Sequence, residues 1–253
     1  MNISLAAEPI FHIGAFPVTN TLLVAWAIML FLFLVAFLVR RNLREVPGRL
    51  QNIAEAVIDA LLGFIESITL DRRQAIKFFP LVATIFIFVL FSNLVEIVPG
   101  LGTIGLKELH EGKEIIVPFI RSSSADLNVT LAIASITMIA VQVFGISALG
   151  LARYAHKFFN FKNPIEFFVG ILELISEFAK IVSFSFRLFG NIFAGEVLLT
   201  VVLFLVPYFV PLPFLFLEIF VGLVQALVFS MLALVFLKMA GEAHGGHEEA
   251  KVH

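Results

Sequence analysis

"PIEFFVGILELISEFAKIVSFSFRLFGNIFAGEVLLTVVLFLV", residues 164–206, runs for 43 residues with no proline after Pro164. At about 1.5 Å per residue it makes roughly 64 Å of helix, against about 30 Å of bilayer hydrocarbon. Either the run breaks into two spans near Gly190, or it is one helix lying steeply tilted along another large membrane object. Near its middle, "SFSFRLFGN" (183–191) sets Arg187 among phenylalanines. A fixed charge at a bilayer centre costs from about 2.5 to well above ten kcal/mol, so Arg187 needs a reason to be there.

The rest of the chain fits the same environment. Soluble domains carry about 25% charged residues. Here 14% of 253 residues are charged, 60% are hydrophobic, and the mean hydropathy is +1.03. Further apolar runs at 21–39, 78–98, 127–152 and 214–238 give five membrane segments and an all-α polytopic fold. "PYFVPLP", 207–213, is the turn before the last of them. No internal repeat is visible, which argues against an inverted-repeat transporter. The net charge of −2 does not suggest nucleic acid as a partner. The absence of cysteine excludes disulfides, iron–sulfur clusters and thiol catalysis.

Between the first two spans, 48–70 places Leu50, Ile53, Val57, Leu61, Ile65 and Ile68 at spacings of three and four. Gln51, Asn52, Glu55, Asp59 and Glu66 fall between them, so an amphipathic helix is expected. It suits a membrane surface or packing on other subunits equally. Segment 40–77 holds seven Lys and Arg, and residues 1–20 hold none. The N-terminus is therefore expected outside, with 40–77, 153–163 and the tail 239–253 cytoplasmic. No charged leader precedes the first span, which is expected to act as the export signal.

Measured around a helix from Arg187, Ser183 falls at about −40°, Lys180 at +20°, Ser176 at −20°, and Glu173 and Asn191 at +40°. Ser and Asn alone would suit a helix–helix hydrogen-bond seam. The ionisable members point instead to a hydrated or ion-handling face. Glu196 lies about 180° from Arg187 and so belongs to a second polar environment. Glu218 and Gln225 share a face of the last span. Counted from the proline turn, Gln225 sits near the depth of Glu196 and Glu218 about 9 Å nearer the turn. A water file from Glu196 and Glu218 to the outer surface is expected. A carboxyl buried without partners holds its proton more tightly and can load and release it. Asn93 and Glu96 share a face at the outer end of the second span and suit either packing or that path. Asn128, Ser135 and Gln142 suit helix packing in the third. All six histidines lie outside the spans, so no intramembrane metal or haem site, and no cofactor, is expected. The His-bearing C-terminus reads as a disordered polar tail.

"ELISEFAKIVSFSFRLFGNIFAGE" (173–196), "FSNLVEIVPG" (91–100), "ADLNVTLA" (125–132) and "GLVQALVFSML" (222–232), in that order, closely resemble subunit a of F-type ATP synthases. The resemblance spans nearly the whole chain. It implies five segments, the last two long and tilted against a ring of c subunits, so the run at 164–206 needs no break. It further implies a proton-translocating stator that does no bond chemistry itself. Arg187 would separate an outer half-channel (Glu196, Glu218, with Asn93 and Gln225) from a cytoplasmic one (Glu173, Lys180, Ser183), with Asn191 in the family's motif. Implied partners are the c-ring, b-type peripheral-stalk subunits and the rest of the complex, in a bacterial inner membrane. In some relatives a histidine stands at the position of Glu218. A membrane enzyme would instead need a catalytic constellation inside the spans, and a transporter its own repeat.

Overall fold

The computed structural model describes residues 8–14, 16–95, 105–110, 113–118, 120–158, 164–206 and 208–241. Glu96 and the tail from 242 onward lie outside them. Among the described residues, five helices are long and apolar enough to cross a membrane: α1 (Asn20–Arg41), α3 (Arg72–Leu94), α4 (Leu127–Leu149), α6 (Pro164–Leu205) and α7 (Pro211–Gly241). The remaining helices are α2 (Arg49–Thr69) and the short α5 (Leu151–Phe158). The fold is the all-α polytopic one that the composition dictates.

The helix ends follow local chemistry. Thr19, Asp71 and Asp126 cap α1, α3 and α4, each accepting a backbone N–H of the first turn. α4 stops at Gly150, whose φ of +81° is the left-handed conformation glycine takes without strain. The expected segment 127–152 therefore ends three residues early, and the chain turns into α5. α7 starts at Pro211, because proline suits a first helical position whose N–H has no partner anyway. α6 is one unbroken helix of 42 residues, continuous through Gly190.

Two small hairpins were not expected from the sequence. β1 (Pro9–Ile13) pairs with β2 (Phe16–Thr19), and β3 (Gly105–His110) with β4 (Lys113–Pro118), both antiparallel. Strands of four to six residues carry too little period-2 pattern to stand out beside long apolar runs. Asn20 Nδ2 donates to Pro118 O at 3.2 Å, tying the second hairpin to the start of α1.

α7 packs along α3 and α4, and α4 packs along α6. The core between them is Ile85, Val89, Phe184, Leu188, Ile192, Phe229 and Ala233. Phe184 meets Phe229 edge-on at 4.7 Å between ring centres. A second cluster joins α2, α3, α4 and α7 through Ile65, Phe78, Val141 and Leu237. α2 forms where its periodicity requires, but the apolar residues of its N-terminal part are left uncovered. Ile65 is buried, whereas Leu50 and Ile53 remain 69% and 63% exposed.

α5 docks on α6 through close backbone contact. A Cβ on Gly170 would collide with the Phe158 carbonyl, whereas a Cβ on Gly190 meets nothing within 4 Å. Gly170→Ala should lower stability by about 1–3 kcal/mol through overpacking against a rigid backbone atom. Gly190→Ala should not lower it. Thermal unfolding of the detergent-solubilised protein distinguishes the two, and equal loss in both variants would contradict the packing described.

Candidate functional site

α6 turns one face inward and the other away from the chain. Phe184, Ser185, Leu188 and Ile192 are buried against α4 and α7, and Ser185 Oγ lies 2.9 Å from Thr130 Oγ1. Ser176, Ser183, Arg187 and Asn191 are exposed on the opposite face, with Glu173 and Lys180 half-buried beside them. The expected polar stripe is thus an outward face of the chain and not a seam within it. Arg187 makes no hydrogen bond or ion pair with any described residue. Asn191 reaches sideways, its Nδ2 donating to Gln225 Oε1 on α7 at 2.6 Å.

Toward the C-terminal end of α6 a second cluster forms around Glu196. The sequence reading set Glu196 apart from Arg187 and named no cation for it, and the structure supplies one. Arg121, buried in the stretch before α4, donates from Nε and Nη2 to Glu196 Oε2 at 3.2 and 3.0 Å. Sequence reasoning passed over Arg121. The signal available was its standing as the lone arginine of the loop 99–126, five residues before an N-cap aspartate.

Glu218 is buried with both carboxylate oxygens lacking a hydrogen-bond partner among the described residues. It is not hydrogen-bonded to Glu196. It sits against Gly195, where a Cβ would come within 2.9 Å of Glu218 Oε1, so that glycine makes room for the carboxyl. Asn93 Nδ2 donates to Gly222 O at 3.0 Å, one turn further along α7. Asn93 Oδ1, Gln225 Nε2 and the hydroxyls of Ser92, Ser123 and Ser124 are likewise buried without a protein partner. Buried polar groups of this kind are costly unless water satisfies them, so α3, α7 and the 121–126 loop offer a lining suited to a short water file.

Toward the other end of α6 lies a third cluster. Lys180 Nζ pairs with Glu177 Oε1 at 2.8 Å and stands 4.9 Å over the Phe236 ring. Gln142 Nε2 donates to Glu177 Oε2 at 2.9 Å, and Tyr154 Oη donates to Gln142 Oε1. Gln142, expected in helix packing, does join α4 to α6, but through an ionisable group. Glu177 was missed because it falls about 80° from Arg187, off the stripe. Burial, then the charges of Glu177 and Glu173, push the Tyr154 phenol up to about 12.

Comparison with known proteins gives the family of the chain. The family described as ATP synthase A chain matches residues 22–238. The chain belongs to this family. The ATP synthase subunit a of Moorella thermoacetica is 34% identical over 236 residues, covering 93% of this chain and 96% of that protein. The subunit a of Desulfotalea psychrophila is 36% identical over 86% of this chain and 82% of that protein. That of Gloeobacter violaceus is 35% identical over 90% and 86%. Membership makes the chain a multi-pass membrane component of an ATP synthase, with the rest of that complex as its partners, in proton transport and ATP synthesis.

Tyr154 gives a direct test of the third cluster. In a Tyr208→Phe variant it is the one phenol left, and absorbance titration should show it ionising near pH 12. Glu177→Gln should move that transition down. The sign for stability follows from linkage. Above the ordinary value of 10.0 an unfolded chain sheds the proton while the folded one keeps it, so stability falls between pH 10 and about 12. Tyr154→Phe should remove that part of the alkaline loss.

Proposed function

We propose that this chain is the stator of a rotary F-type proton motor, with Arg187 facing carboxyls carried on a ring of small c subunits. The observation that carries the reading is the unpaired, exposed Arg187, with separate polar clusters toward the two ends of its helix. By helical rise Arg187 is about 35 Å from the start of α6 and about 27 Å from its end. A charge so placed in hydrocarbon needs a counter-charge from another chain.

In this reading a protonated, neutral ring carboxyl travels through lipid. Beside Arg187 it ionises, because a nearby cation favours the charged form. The guanidinium does not deprotonate, so it blocks a direct proton path. Protons arrive from outside through Glu196 and Glu218, with Asn93 and Gln225 alongside. They leave to the cytoplasm past Ser183, Lys180 and Glu173, with Glu177 added to that set. Each crossing proton supplies about 2.3 kcal/mol per 100 mV. The N-terminus lies outside and the C-terminus inside, in a bacterial inner membrane. The uncovered end of α2 rests on the cytoplasmic surface, near b-type peripheral-stalk subunits.

Arg187→Ala should abolish proton-driven ATP synthesis in the assembled complex and make vesicles leak protons passively. Normal synthesis would refute the reading. Glu218→His keeps a titratable group with a reference value near 6.5 and should retain partial pumping with an altered pH profile. Glu218→Leu should lose far more, and equal behaviour of the two would reduce Glu218 to packing. Cysteines placed at Glu196 and Glu218 should react with a polar thiol reagent from outside, and those at Glu173 and Ser183 from the cytoplasm. Equal labelling of both sets from one side would sink the split path.

A further inference from the structure

We propose that Arg121 is a positioning residue for proton uptake: it holds one oxygen of Glu196 and leaves the other free to exchange protons. This rests on the half-channel reading above. An arginine commonly grips a carboxylate as a fork, one N–H to each oxygen. Here Nε and Nη2 both go to Oε2, and Oε1 takes no hydrogen bond among the described residues. The grip therefore sets the carboxylate's orientation without occupying both acceptors. Arg121 keeps its own proton under all working conditions, so it acts on transport through Glu196 and not as a carrier.

The loop that carries Arg121 is built to hold still. Ser122 Oγ donates to Ser92 O at 2.9 Å, anchoring the loop to α3. Thr21 Oγ1 donates to Asp126 Oδ2 at 2.7 Å, anchoring it to α1, while Asp126 Oδ1 caps α4. The turn Ser123–Ala125 also packs on α6. Three helices thus fix the arginine against a fourth. On the α6 side, Thr200 Oγ1 donates to the Glu196 carbonyl at 2.7 Å.

The test uses the whole ATP synthase complex reconstituted in vesicles, with ATP-driven proton uptake as the readout and copurification as the check on assembly. Arg121→Gln should assemble and slow uptake about tenfold or more, as expected for losing charge-assisted hydrogen bonds. Arg121→Lys, which keeps a charge that can meet one oxygen, should retain most of the rate. The double variant Arg121→Gln/Glu196→Gln should be no slower than Glu196→Gln alone, since a residue acting through Glu196 adds nothing once Glu196 is removed. Full-rate uptake in Arg121→Gln, or a double variant slower than Glu196→Gln, would overturn the proposal. So would failure of both single Arg121 variants to assemble, which would assign the residue to packing. Unimpaired uptake in Glu196→Gln alone would instead overturn the half-channel reading beneath it.

Discussion

The structure turns on a guanidinium left unneutralised by every described residue of its chain. Arg187 stands on the outward face of α6 with no partner among the described residues. The inward face of the same helix is fixed by Phe184, Leu188 and Ile192 against α4 and α7. Rolling the arginine inward would take those side chains out of the core, so the helix cannot bury the charge without losing its own packing. The two polar clusters lie off toward the ends of α6 and do not reach it. A charge left open among the described residues is compatible with membership of a multisubunit ATP synthase, and in the proposed motor a group from another chain would complete the site.

The cluster around Glu196 and Glu218 depends on two glycines that let polar side chains approach a neighbouring backbone. Gly195 admits the Glu218 carboxyl onto α6, and Gly222 admits Asn93 onto α7, where a Cβ would meet the Asn93 Cβ at 3.1 Å. Between them Asn191 and Gln225 clasp α6 to α7. The result is a region where close packing and unpartnered polar atoms coexist. That combination is expensive in a dry interior and economical where a few waters complete it.

Much of this was legible in the sequence. The five apolar runs, the amphipathic stretch at 48–70 and the stripe through Arg187 all follow from length and period. Helical offsets set Glu196 on a different side of α6 from Arg187 and put Glu218 and Gln225 on one face of the last span, whereas the structure ties Gln225 to Asn191 of the Arg187 stripe. Two partners were not legible. Arg121 comes from an irregular loop, where no period fixes which way a side chain points. Glu177 lies between the faces of α6, and its tie to Gln142 on α4 depends on how two helices are rotated against each other. The hairpins were hidden because short strands leave a weak pattern beside long helices. Whether 164–206 is one helix was open on length alone, since both solutions satisfy the hydrophobic rule.

The choice of basic residue at each position follows from its surroundings. Lys180 sits beside Glu177 and over an aromatic ring, so its ammonium is compensated inside the chain. Arg121 is compensated by Glu196. Arg187 alone of these three lacks a partner among the described residues, and in the proposed motor it meets one only when a ring carboxyl arrives. Between such encounters a lysine in a desolvated setting can release its proton and so become a stepping stone between the two half-channels. A guanidinium holds its charge through the same interval. In the proposed motor the barrier that makes proton flow turn the ring would therefore call for arginine at 187, whereas a lysine would suffice at 180, where it would lie inside one half-channel and separate nothing.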